Sequence, residues 1–133
     1  MYKEAYNLLR EILNDEQLNS YIYTATGKYL SVIDAGPQID SPAAKIIFDS
    51  GQRTRKSNTI QQVNYIISFV LPFFGADAFE QCLDFIEVVT AICLEYYSGK
   101  NFIKSVNPSI VEDDNEKGFW TVNINVAVQI FIS

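Results

Sequence analysis

The stretch Ile60-Gln61-Gln62-Val63-Asn64-Tyr65-Ile66-Ile67-Ser68-Phe69-Val70-Leu71 decides how the rest of the chain is read. From Val63 onward every second residue is large and apolar (Val63, Tyr65, Ile67, Phe69, Leu71), with Gln62, Asn64 and Ser68 between them. Side chains of an extended strand point alternately to opposite faces, so this period of two predicts a half-buried β-strand. Ile66 and Val70 interrupt the polar side. Part of the second face therefore also needs cover, from a helix or from another subunit.

On the C-terminal side, Pro72 and Gly75 end the strand and a helix follows. Asp77 stands where it can cap that helix, and Glu80 three residues later completes a capping-box spacing. Phe79, Cys82, Leu83, Ile86, Val89, Cys93 and Tyr96 trace one stripe to a stop at Ser98-Gly99, opposite Gln81, Asp84, Glu87 and Glu95. Two more strands are expected, Phe102 to Val111 and Gly118 to Ile132, joined by the acidic turn Glu112-Asp113-Asp114-Asn115-Glu116. The last is long enough to span a sheet or project beyond it, with Trp120, Val122, Ile124, Val126, Val128, Ile130 and Ile132 on one face.

On the N-terminal side, Tyr2, Ala5, Tyr6, Leu9, Ile12 and Leu13 share one face of an amphipathic helix over Tyr2 to Leu13. Between it and Ile60, the β-rich pieces Tyr21 to Thr24, Tyr29 to Ile33 and Ala44 to Phe48 predict two or three short strands, punctuated by Gly27, Gly36, Pro37 and Pro42. The expected fold class is α+β, with a mostly antiparallel sheet and the N-terminal helix and one long central helix packed on one face. Residues 1–133 are expected to form a single α+β domain, since the length holds one core and 48% hydrophobic residues exceed what a disordered chain carries.

Composition then narrows the chemistry. The chain has no His, which removes Ser-His and Cys-His nucleophile pairs and the usual zinc ligand sets. Its formal net charge of −6 opposes a broad duplex-DNA footprint. Met1 to Arg10 carries Lys3, Glu4 and Arg10, unlike the apolar core of a signal peptide, and the apolar run Tyr65 to Phe74 is short of the ~20 residues of a spanning helix. A soluble cytoplasmic protein with no membrane partner is expected. Cys82 and Cys93 lie about three helical turns apart, ~16 Å, too far for a disulfide, and are expected to be reduced and buried.

No constellation points to catalysis, a metal or a cofactor. The acidic turn lacks the alternating ligands and central Gly of a calcium loop, so a solvated hairpin turn is expected there. Gly27, Gly36 and Ser50-Gly51 fit no phosphate-loop spacing, and no spacing pairs Asp34, Asp40 or Asp49 with Glu112 or Asp113 for acid-base work. The aromatic clusters Phe73-Phe74, Tyr96-Tyr97 and Phe119-Trp120 point to core or interface, hence to self-association. The loop Gln52 to Asn58 concentrates positive charge, and Arg53, Arg55 and Lys56 are the candidate contact for an acidic partner or a phosphate. Trp120, Ile130 and Ile132, on the long last strand, are the candidate oligomer interface.

With these elements placed, the chain resembles the small tail-terminator and tail-completion proteins of long-tailed bacteriophages and prophages. The resemblance runs through Ile12-Leu13, Tyr21-Ile22-Tyr23, the strand into Phe48-Asp49-Ser50-Gly51-Gln52-Arg53-Thr54, the alternating Val63 to Leu71, the helix Phe79 to Tyr97, and Gly118-Phe119-Trp120. It implies a structural protein that forms a homo-oligomeric ring, often a hexamer, at the head-proximal end of the tail tube. Its partners would be other copies, tail-tube and head-connector proteins, and DNA only in passage. Its location would be the host cytoplasm or the virion. Two other classes stay open: an acidic immunity-like inhibitory protein, whose carboxylates would cluster on one face, and a small-molecule-binding α+β regulatory module, which would want a Gly-rich turn with convergent polar groups.

Overall fold

The computed structural model describes residues 1–33, 41–52, 60–114 and 118–131. In chain order they form α1 (Tyr2–Leu13), α2 (Glu16–Thr26), β1 (Ser31–Ile33), β2 (Ala43–Gln52), β3 (Ile60–Leu71), α3 (Ala78–Glu95), β4 (Tyr97–Ser98), β5 (Asn101–Asp114) and β6 (Phe119–Phe131). The strands make one six-stranded sheet in the order β1-β2-β3-β6-β5-β4. Every pairing is antiparallel except β1 with β2. The fold is α+β, as expected.

The alternation of β3 does what its period dictates. Val63, Ile67, Phe69 and Leu71 are fully buried, and across the ladder Val63 meets Val128, Tyr65 meets Val126, Ile67 meets Ile124 and Phe69 meets Val122. These cross-strand apolar pairs are the floor of the core. Ala5, Leu8, Leu9, Ile12 and Leu13 of α1, Leu18 and Ile22 of α2, and Cys82, Phe85, Val89, Ile92 and Cys93 of α3 close over them. Phe69 and Phe85 meet edge to face with centroids 4.9 Å apart.

Three expectations need correction. Tyr21 to Thr24 is helical, not a strand. Asp15 caps α2 by accepting from Leu18 N–H at 3.0 Å, Gly27 ends it in the left-handed region at φ 79°, and Leu18 and Ile22, one turn apart, both reach the core. Capping and burial outweigh the local β preference of Tyr-Ile-Tyr. The buried stripe of α3 is also rotated. Phe85 and Ile92 are in the core, whereas Phe79 and Leu83 are 48% and 43% exposed. Because α3 is apolar on more than one side, two stripes fit its period equally well and packing chose between them. Asp77 does stand at the N-cap, yet its side chain makes no capping bond.

Glu112, Asp113 and Asp114 are not turn residues but the end of β5, paired with Thr121, Trp120 and Phe119. Of the two courses its length allows, spanning the sheet or projecting beyond it, β6 as far as Phe131 takes the first. It lies inside the sheet, bonded to β3 along Trp120 to Phe131 and to β5 along Phe119 to Gln129.

Candidate assembly surfaces

Among the described residues the sheet has two incompletely covered edges. On one side β1 pairs with β2 only at Ala43, Ala44 and Lys45. Among the described residues, no strand covers the outer edge of β2 from Ile46 to Gln52. Ile47 and Phe48 are 40% and 53% exposed there. The start of α1 leans on this strand: Tyr2 meets the Phe48 ring edge to face at 5.6 Å, and Tyr65 Oη donates to the Tyr2 carbonyl at 2.9 Å. Burial, and then the nearby Tyr6, pushes the Tyr65 phenol above its ordinary range. Gly51 is the close-approach position, since a Cβ there would stand 2.5 Å from the Tyr2 ring.

On the other side β4 pairs only with Asn101 and Phe102 of β5. The outer edge of β5 beyond Phe102 has no strand partner among the described residues. It is shaped by extra residues at Lys104 and Ser109 and by Pro108, which has no N–H to donate. Tyr97, Leu94, Ile110 and Phe102 are exposed on this side.

The two ends of the sheet differ in character. At one end, Leu71 pairs with Trp120 and Trp120 with Asp113; beyond it Phe74 is 84% exposed, and Phe79 lies against Trp120 at 5.9 Å. Asp77, Glu80, Glu112 and Asp113 give this end a negative rim. Asp113 comes close enough to Cys82 to add to the burial that pushes that thiol up to about 11. At the opposite end Lys100 stands 4.4 Å over the Phe131 ring, and Lys104 donates to Gln62 Oε1 at 3.2 Å.

The sheet face away from the core carries a ladder of amide and hydroxyl side chains, with Lys45 beside Ser68, Glu112 beside Thr121 and Lys104 reaching Gln62. The registers align Gln52, Gln62 and Gln129 across β2, β3 and β6, Ser50 with Asn64, and Asn125 with Asn107. Gln62 donates to Asn64 and Asn64 donates to Ser50, both at 2.9 Å. Ile66 pairs with Ile47 and Asn125 on this face and remains half-buried. Between α2 and α3 an open groove of about 600 Å³ is lined by residues including Glu16, Ser20, Tyr21, Val88 and Ile92.

The structure separates the residues singled out in the sequence. Ile130 is 2% exposed and belongs to the core, which corrects its expected place in an interface: it lies on the same face as Val126 and Val128 in a strand paired on both sides. Trp120 is half-buried at the acidic end. Ile132 lies outside the described residues, as do Arg53, Arg55 and Lys56, and also Asp34, Asp40 and Glu116. Of the aromatic clusters, Phe73 is core while Phe74 and Tyr97 are surface. Cys82 and Cys93 are free and buried. No described helix is long and apolar enough to cross a membrane.

No family model and no curated protein sequence matches the chain. Solved structures do match in fold. One, under a name that states no function, shares 12% identity and superposes with a TM-score of 0.55 over 96% of both chains. Another is a chain from the virion of a native gene transfer agent particle, with 12% identity and a TM-score of 0.53 over 96% of this chain and 91% of that one. At such identities the likeness is one of fold, and it runs nearly end to end.

Proposed function

We propose that this chain is a structural subunit of a phage-like particle, and more finely a tail terminator that forms a ring at the head-proximal end of a tail tube. The observation that carries the reading is the nearly full-length fold match to a chain from the virion of a native gene transfer agent particle. The surfaces are compatible with it. Two sheet edges left uncovered by the described residues, on opposite sides, suit repeated association of one chain, and the acidic rim at one end distinguishes one face of a ring from the other. In this reading the protein is not an enzyme, needs no cofactor, and lets DNA pass without holding it.

The test is native mass spectrometry and negative-stain microscopy of the purified protein over a dilution series, followed by addition to polymerising tail-tube protein. A closed ring of about six copies that caps tubes at one end is the expected result. A strict monomer at high concentration, or tubes of unchanged length, would overturn the reading.

A further inference from the structure

We infer that copies join by sheet continuation, the outer edge of β2 in one copy pairing antiparallel with the outer edge of β5 in the next; this rests on the ring reading above. Strand direction comes first. β2 runs against β3, β3 against β6 and β6 against β5, so β2 and β5 run in opposite directions at opposite sides of the sheet. A neighbour related by simple rotation, keeping the same face outward, therefore presents its β5 antiparallel to this β2. The contact uses two different patches, so repeating it builds a ring when the rotation between copies divides a full turn and an open helix when it does not.

The uncovered segments also match in height. Reading the ladders across the sheet, Phe48, Tyr65, Val126 and Val106 share one rung, and Gly51, Val63, Val128 and Ile103 share another. β1 limits the uncovered edge of β2 at Lys45, close to the level where Pro108 interrupts β5. β4 limits β5 at Phe102, on the rung of Gln52. The stretches Ile46 to Gln52 and Ile103 to Asn107 thus stand opposite each other when two copies sit level.

Charge and apolar surface agree with the occupant being a second copy. Each strand carries an extra residue that has no partner in its ladder, Asp49 in β2 and Lys104 in β5, one rung apart, and the exposed Lys104 ammonium also donates to Gln62 Oε1 of its own copy. Asp49 is the sole charge between Ile46 and Gln52, and Lys104 the sole charge between Asn101 and Asn107. The edges are flanked by exposed Ile47, Phe48 and Tyr2 on one side and exposed Tyr97, Leu94 and Phe102 on the other. Unpaired backbone supplies affinity in such a contact, and the flanking side chains supply register.

The experiment is disulfide trapping in the whole protein, where Cys82 and Cys93 are buried and silent. Asp49→Cys and Lys104→Cys are made singly and together, and each is oxidised gently before non-reducing electrophoresis. The expected result is no cross-link in either single variant, dimers alone in the mixture of the two, and a ladder of multimers in the double variant. A double variant with Glu87→Cys in place of Lys104→Cys should give no ladder. If the unmodified protein forms rings but the double variant gives no ladder, or Asp49→Cys dimerises alone, the edge pairing is overturned and the ring reading stands. If the unmodified protein is a monomer, both fall.

Discussion

The phenol of Tyr96 donates its hydrogen to Asp15 Oδ2 at 2.5 Å, joining the residue after α3 to the residue that caps α2. The other oxygen of the same carboxylate accepts from Leu18 N–H at 3.0 Å. One side chain thus fixes the start of α2 and holds it against the end of α3. Burial, the bond to Asp15 and the negative charge of Asp15 push Tyr96 up to about 12.

Tyr96→Phe should therefore lower stability by about 1–2 kcal/mol at neutral pH, the range for a hydrogen bond to a charged group that is partly solvated. Asp15→Ala should cost more, because it removes the cap as well. The pH dependence has a definite sign. An unfolded tyrosine ionises near 10, whereas the folded one holds its proton to about 12. The contribution is therefore complete below pH 10 and is lost as pH rises from 10 towards 12. Urea denaturation along that range should show a shallower alkaline decline in Tyr96→Phe than in the parent.

Gly51 and Tyr2 form a pair in which one residue's lack of a side chain makes room for the other's ring. Gly51→Ala should cost about 1 kcal/mol by displacing Tyr2 from Phe48. In a Tyr2→Ala background the same change should be neutral or stabilising, since the clash is gone and Ala orders a strand better than Gly. Additive losses in the thermal melts of the four proteins would refute the pairing.

Much of this architecture was legible in the period of two in β3 and β6, because burying one face of a strand imposes its pattern on the sequence directly. What was hidden had a common cause. Tyr21-Ile22-Tyr23 has strand preferences, but Asp15, Leu18 and Gly27 decide its conformation from outside the segment. Likewise, Phe79 and Phe85 are equal candidates for the core until the sheet beneath α3 selects Phe85. Ile130 carried the right face and the wrong role, since alternation says which side a residue points to and not whether its strand is central or at an edge. The uncovered edges of β2 and β5 left no trace in composition. They follow from strand order, which only the assembled sheet defines.

The two thiols should be inert in the native protein. Burial pushes Cys82 up to about 11 and Cys93 up to about 12, so almost no thiolate exists at neutral pH. Ellman's reagent should find no reactive thiol until denaturant is added and both thereafter. Cys93→Ala should be tolerated better than Cys93→Ser, which buries a hydroxyl that bonds back to the helix carbonyl four residues earlier and so weakens both core and helix.

Ile130→Asp should abolish cooperative folding rather than weaken an interface. The substitution places a carboxylate in a core position 2% exposed, at a cost above about 4 kcal/mol, comparable to the whole stability of a small domain. Trp120→Ala, at a half-buried position against Phe79, should leave a folded protein with a lower melting temperature. A soluble, cooperatively melting Ile130→Asp protein would contradict the placement of β6 at the centre of the sheet.

The cluster Arg53, Arg55 and Lys56 supplies the last expectation, and here the sequence is the guide. It holds three of the ten basic residues of an acidic chain, in a polar stretch that follows the exposed end of β2. A guanidinium can hold a carboxylate or phosphate through two hydrogen bonds, which suits a contact with an acidic partner or with DNA passing a ring. Replacing all three by Ala should leave stability within about 0.5 kcal/mol, the expectation for a polar stretch of sequence. Ring size should be unchanged, because the inferred joint uses the edge up to Gln52. Tail completion or head joining in a complementation assay should fall, and the defect should be relieved at lower salt if the lost contact is electrostatic. A large drop in melting temperature would instead make the loop structural, and full complementation would leave it a solvated surface with no partner.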